Sequence, residues 1–381
     1  MLRAGVGVST RGQGRAAAEE AAAAALEAAG LERADAALLV ATPDRAEALE
    51  EILPRALAVL GTESVVGATV HGVLAQGREH ESGALGVLAL AGIEARAFLL
   101  PELPPSSLGE EIAAELPSPP GERDLVVLLP DPRSVEPRTW VRGLREALAP
   151  ATVVGAGAMA ATGAPPLLWC GPEIARRGVA GLVLRAGAPP RTAVTQSCQP
   201  VTELLAVTRA EGHWVLELDG RPALDVYRDV ARGPLAADLR RAAAFLLVAL
   251  PRDPAAPLRP GGYLVRHVAG FDEGRRAFAL PEPARRGMAL AFALREAESA
   301  RQDLKQMLAA VGSPPPAFGL YFDCSARGAA LFGLPDLEAA YLASALGDAP
   351  VLGLLGSFEL GPIGGALELL TYTGVLALID A

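Results

Sequence analysis

Apolar runs and polar-faced helical stretches alternate along the first half of the chain. Residues 6–9 form a short apolar run. Residues 15–29 (RAAAEEAAAAALEAA) are strong helix formers closed by Gly30, which predicts a helix with a glycine C-cap. Residues 36–41 predict a strand, and 44–60 a helix kinked at Pro54. Strands are expected at 64–69, 85–90 and 95–100. The segment 101–120 is rich in proline, yet Ser107 with Glu110 has the spacing of a capping box for a short helix. A buried strand at 125–129 and a helix near 138–149 follow. This alternation argues for α/β layering.

Beyond residue 190 the pattern is less regular. Extended segments are expected at 192–195, 201–208 and 214–218, with a turn at Asp219-Gly220. Helices are expected at 222–231 and 235–249, and a loop over 251–260. A long helix is expected from 288 to 311, stopped by Gly312 and the run SPPP. A strand at 317–322, a helix at 336–346 ended by Gly347, and a strand at 351–355 come next. The stretch GSFELGPIGG reads as a loop, and 366–379 as one final long strand. The expected class is α/β, with α+β character in the C-terminal half. Two layered domains with mixed sheets covered by helices are expected, over 1–215 and 216–381.

Composition narrows the function classes. Of the 381 residues 51% are apolar but only 4% aromatic, so the cores must be built from small aliphatic side chains. A net charge of −10 and a pI near 5.1 disfavour a phosphate backbone as partner, so no nucleic acid is expected. The three cysteines, Cys170, Cys198 and Cys324, are scattered without CxxC spacing. Neither a disulfide framework nor a metal site is expected from them. Residues 151–172 carry no charge, but their internal glycines and paired prolines break a helix. Buried strands joined by turns are expected there rather than a membrane insertion. The N-terminus lacks a signal-peptide core, and a cytoplasmic location is expected.

The chemistry concentrates near YFDCSARG (321–328). Strand, helix and strand within some forty residues suggest a crossover joining two parallel strands. Their ends would then share one sheet edge, where α/β sheets bind ligands. That edge would hold Cys324, Ser325, Arg327 and Gly328 beside Glu359. Arg327 offers a planar donor fork for a carboxylate. Glu359 offers an acceptor for an ammonium or hydroxyl. Ser325, Tyr372 and Thr373 add neutral polar groups, and Gly328, Gly356 and Gly361 permit close backbone approach. Together these groups suit a small zwitterion, unless Arg327 and Glu359 simply pair with each other or face water.

YFDCSARGAALFG (321–333), VLGLLGSFELGPIGG and LLTYTGVLAL together resemble the C-terminal half of the FIST domain (F-box and intracellular signal transduction). AVTQSCQPVTELLAVTRAEGHWVLELDGRPALDVY (193–227) is similar to the junction of the family's halves. GVGVST and SVVGATVHGVL (64–74) stand where the N-terminal half has a strand and a Gly-rich turn. The resemblance implies a non-catalytic, ligand-binding sensory protein of bacterial signalling, with amino acids among the proposed ligands. It places the family's Cys-x-x-Arg-Gly pattern on Cys324, Arg327 and Gly328, its acidic turn on Glu359, and its tyrosine-threonine strand on Tyr372 and Thr373. Cys198, from the junction, is a further candidate. Some family members bind haem, which makes a haem-binding gas sensor one alternative, with His71 or His267 as ligand; no cofactor is otherwise expected. Elsewhere in the family the domain is joined to an F-box. Here no output segment is recognised, so a separate signalling protein is the expected partner.

Two departures are visible. The N-terminal turn 67–73 lacks the family's thiol and acid, and Ser197 precedes Cys198 where glycine is usual. A cysteine-dependent enzyme using Cys324 is the other alternative, and would need a base delivered by the fold. TVVGAGAMAATG (152–163) nominally matches a dinucleotide fingerprint, but Pro165 and Pro166 leave no room for the helix it requires.

Overall fold

The computed structural model describes residues 1–116, 119–232, 236–311 and 314–380. The chain is a mixed α/β fold that divides into two compact units. The first comprises Met1–Val194, Lys305–Leu369 and Thr373–Ala381; the second comprises Thr195–Leu304 and Leu370–Tyr372. The first unit therefore takes in residues on both sides of the change expected near 215.

In the first unit the Ala-rich helix Gly14–Ala29 ends on Gly30 in the left-handed conformation, as its sequence implies. It lies almost in backbone contact with the strand Arg3–Ser9. A Cβ on Gly7 would stand 2.1 Å from the Ala21 carbonyl oxygen, and one on Gly5 2.3 Å from that of Ala25. Such proximity explains the small residues on both partners. The core beneath this helix is alanine, leucine and valine around one tryptophan, Trp169, which fits the scarcity of aromatics. Residues 43–60 divide into a 3-10 turn, Pro43–Ala48, and a helix, Leu49–Leu60, with Pro54 inside. The uncharged stretch 151–172 forms the buried strands Thr152–Ala156 and Leu168–Cys170.

The sheet that carries the candidate site has six strands. Its centre is Phe318–Cys324, parallel to Val351–Gly356 and antiparallel to Thr373–Ile379. The expected strand–helix–strand crossover is thus present, with Cys324 level with Gly356. The hairpin Gly72–Ala75 and Arg78–His80, unread in the sequence, extends this sheet beyond Val351–Gly356.

Five sequence expectations require correction here. Ser107 caps nothing: the helix is Pro105–Ala114, started by Pro104 at its N-cap and Pro105, and the Ser107 hydroxyl donates to the Pro104 carbonyl. The segment 288–311 is not one helix but a strand, Ala289–Arg295, followed by a helix, Ala297–Val311. Gly312 and the adjoining Ser313, expected as its stop, lie outside the described residues. Nor is 235–249 one helix: residue 235 lies outside the described residues, residues 236–237 are helical, and a short helix, Leu239–Ala243, precedes the strand Leu246–Pro251. Finally, GSFELGPIGG contains the strand Glu359–Ile363, and 366–379 is two strands, Ala366–Leu370 and Thr373–Ile379. Tyr372, with φ +59°, makes the break between them.

The second unit is built on a nine-stranded arrangement in which Ala289–Arg295 pairs with three other strands. Its core holds an aromatic cluster of Tyr227, Phe271, Phe278 and Phe292, whose ring centroids lie 5.2–6.0 Å apart. The Tyr227 hydroxyl is satisfied by the Leu246 carbonyl. No helix among the described residues is long and apolar enough to cross a membrane.

Candidate functional site

The strand Phe318–Cys324 is buried along its whole length, so its alternating side chains enter two apolar layers. Asp323 is charged in type and cannot lie there unpaired. The chain meets that demand locally. After Cys324 it turns, with the Ser325 amide donating to the Gly356 carbonyl and the Arg327 amide to the Cys324 carbonyl. This turn returns the Arg327 side chain inward, where its Nε lies 2.8 Å from Asp323 Oδ1. Arg327 Nη2 donates to Glu338 Oε1 at 2.5 Å. The Tyr321 hydroxyl donates to the same oxygen at 2.8 Å, and the Gly328 amide to Glu338 Oε2 at 3.3 Å. All three charged side chains are essentially inaccessible, at 0% for Arg327, 0% for Glu338 and 1% for Asp323.

The electrostatics follow from one cation among several acids. Burial works against the Arg327 charge, but Glu338, Tyr321 and Asp323 hold the guanidinium protonated, well above its usual range. Burial opposes Glu338 too, yet Arg327 and the donors from Asp323, Arg327 and Tyr321 keep it below the usual carboxylate range. Asp323 is driven the other way, well above the usual carboxylate range, first by burial and then by the Glu338 charge, against the pull of Arg327.

Glu359 forms the other half of the site. It lies on the strand Glu359–Ile363, which pairs with Thr152–Ala156 in a different sheet of the same unit. Its side chain spans to the Arg327 sheet: Oε2 accepts from Thr373 Oγ1 at 2.6 Å and from the Thr373 amide at 3.3 Å. The Cys324 thiol lies against the same carboxyl group and favours its ionised form. Oε1 is buried and has no hydrogen-bond partner among the described residues. Burial raises the group to about 8, against the pull of Thr373, Arg327 and Cys324.

The sequence-nominated residues separate into two sets. Cys324, Ser325, Arg327, Gly328, Glu359 and Thr373 lie in the first unit, around the ends of parallel strands. Cys198 and Tyr372 lie in the second, where both belong to one apolar cluster with Tyr263, and the Ser197 amide donates to the Tyr372 carbonyl. Arg327 is engaged by acids of its own chain rather than presented at an open edge. The glycines serve internal contacts. Gly328 has φ +56°, and a Cβ there would meet Glu81 Oε1 at 3.3 Å and Glu79 Oε2 at 3.5 Å. One on Gly356 would stand 2.6 Å from Ala156 Cβ, and one on Gly361 2.6 Å from Val375 Cγ1.

Sequence reasoning overlooked Tyr321, Asp323, Glu338 and Glu79. Asp323 had a signal, an acid four residues before Arg327 inside an otherwise apolar strand. The turn 67–73 leads into the same sheet: the His71 amide donates to the Leu355 carbonyl, and His71 Nε2 lies 3.6 Å from Glu81 Oε2. After Thr152–Ala156 the chain continues in turns rather than the helix a dinucleotide site would require. Among the described residues, no three His, Cys, Asp or Glu side chains are grouped so as to hold a metal ion.

Two uncharacterized proteins of Mycobacterium tuberculosis strains are each 30% identical over 390 aligned residues, spanning 99% of this chain and 99% of their own. One from Mycobacterium bovis is 29% identical over 388 residues, covering 99% of this chain and 98% of its own. A crystal structure of cyanuric acid hydrolase from A. caulinodans overlaps 48% of this chain and 70% of its own at 11% identity, with a TM-score of 0.28, too low to support any argument. FIST domains are signalling-associated sensor domains. Residues 35–221 match the FIST N domain and residues 223–362 the FIST C domain, and the strand ends that carry Arg327 and Glu359 fall inside the second match. The chain belongs to the FIST family.

Proposed function

We propose that this chain is a non-catalytic sensory protein that takes up a small polar ligand at Glu359 and signals through a separate protein. Glu359 carries the reading: it is fully buried, one oxygen is held by Thr373, and the other makes no hydrogen bond among the described residues. A buried polar atom without a hydrogen bond costs about 1–3 kcal/mol, and such atoms in native proteins call for an explanation in water, ion or ligand. The surrounding charge favours an N–H donor over an anion. Arg327 is already shared between Asp323 and Glu338 and is not free to clamp a carboxylate. Its part in this reading is to hold the acid cluster in place, with Cys324 and Thr373 flanking the Glu359 carboxyl.

Raised to about 8, Glu359 holds a proton at neutral pH. An ammonium group, such as that of an amino acid, takes that proton's place, so binding releases a proton and tightens as pH rises toward 8. Because Glu359 is closed off from solvent, uptake requires a second, open arrangement of the strands around it. The ligand then acts as a signal to the extent that it favours one state over the other.

A thermal-shift screen with glycine, glutamate, ethylamine and acetate tests this. An amine bound at a hundredfold excess over its dissociation constant adds about 2.7 kcal/mol. The amino acids or ethylamine should raise the melting temperature more at pH 8 than at pH 6, acetate should not, and Glu359→Gln should abolish the effect. A stabilising amine that Glu359→Gln leaves untouched contradicts the site.

A further inference from the structure

The helix Leu337–Leu346 begins without a cap of its own: Asp336 stands at the N-cap with φ +62° and makes no side-chain cap. Its first amides are satisfied from far away in sequence. Glu79 Oε1, on the edge strand Arg78–His80, accepts from the Glu338 amide at 2.9 Å and the Ala339 amide at 3.2 Å. Asp336 Oδ1 returns the contact by accepting from the Glu79 amide at 2.7 Å. The hairpin and the helix are thus tied reciprocally: the hairpin's Glu79 accepts from two helix amides, and Asp336 at the helix N-cap accepts from the hairpin's Glu79 amide.

The surroundings of Glu79 are mostly acidic. Asp336 and Glu338 face it from the helix, and Glu81 approaches it across Gly328. Glu79 Oε2 is buried and has no hydrogen-bond partner among the described residues. The nearby basic side chains are engaged elsewhere: Arg78 lies 3.7 Å from Asp336, His71 lies 3.6 Å from Glu81, and Arg327 pairs with Glu338 and Asp323. Tyr321 donates to Glu338 and brings no charge.

We propose that this hairpin–helix contact is a proton-gated latch, firm when Glu79 carries a proton and loosened when it is ionised. The neutral acid keeps a carbonyl oxygen for both helix amides and sets no charge against Asp336, Glu338 and Glu81. Ionisation preserves those two bonds but adds like-charge repulsion in a desolvated place. Burial, followed by the Glu338 charge, lifts Glu79 from 4.5 to about 7, overcoming the two amides that favour the anion. A carboxyl raised on folding contributes stability that is complete below its unfolded value and lost as pH rises to its folded value, here from about 4.5 to about 7. The latch therefore responds within the neutral range.

Glu79→Gln tests the proposal, since its carbonyl can hold both amides and never ionises. Its melting temperature should equal that of the parent near pH 5 and exceed it at pH 8 by about 2–4 °C. Hydrogen exchange, corrected for intrinsic rates, should show protection of the Glu338 and Ala339 amides falling severalfold between pH 6 and 8 in the parent and staying level in the variant. A melting difference that is the same at both pH values, a variant that melts lower at pH 8, or parent protection that does not change overturns the latch.

Discussion

Arg327→Met is expected to cost about 3–5 kcal/mol, the usual consequence of removing one partner from a buried ion pair. The fully buried Glu338 would lose the guanidinium it pairs with, and Asp323 would lose the same neighbour. Urea denaturation, monitored through the tryptophans, measures this directly. The companion double variant, Arg327→Met with Glu338→Leu, should be markedly more stable than the single one. Removing both partners leaves neither the guanidinium nor the Glu338 carboxylate uncompensated in the core, and apolar replacement of whole buried pairs is often tolerated. If the single variant loses less than about 1 kcal/mol, a value typical of exposed pairs, the guanidinium is not sealed among acids as described here.

Stability of the first unit should fall as pH rises from about 5 to 9, and Glu359 is one source of that fall. Its carboxyl lies at about 8 in the folded chain against an ordinary 4.5. Folding therefore binds a proton that the unfolded chain has released, and between those values stability declines with pH. The contribution is whole below about 4.5, and above about 8 it is gone. At 1.36 kcal/mol per pKa unit, with allowance for relaxation of the surroundings, the loss is on the order of 2–4 kcal/mol. Glu359→Gln should flatten this decline and be more stable than the parent at pH 9, because its amide keeps an acceptor for Thr373 without charge. A parent and variant with parallel pH profiles would show that Glu359 titrates normally.

The sequence disclosed the architecture where elements were locally determined. The helix Gly14–Ala29 announces itself by alanine content and Gly30, and the parallel pair Phe318–Cys324 and Val351–Gly356 by the helix between them. It misled where burial replaced periodicity. ALAFALR at 289–295 is composed of helix-favouring residues, yet it forms a strand because neighbours distant in sequence pair with it along both edges. The final strand appeared continuous because nothing in Thr371-Tyr372 signals a residue at positive φ.

The site was partly legible for the same reason. Arg327 and Glu359 stood out as charges at the ends of apolar strands, but their bonding could not be read. Glu338 reaches Arg327 across a separate short helix, Gly328–Phe332. Glu79 reaches the helix Leu337–Leu346 across 259 residues of sequence. The expected clamp for a ligand carboxylate is instead an internal counter-ion, a distinction set by how many acids the fold gathers around one guanidinium.

That imbalance of charge is the central claim, and a carbon-13 NMR titration of side-chain carboxyls tests it most directly. With Glu359 assigned by its absence from Glu359→Gln, its signal should move with a midpoint of about 8. A midpoint near 4.5 would mean that Glu359 meets water or an unrecognised cation, and would contradict the account.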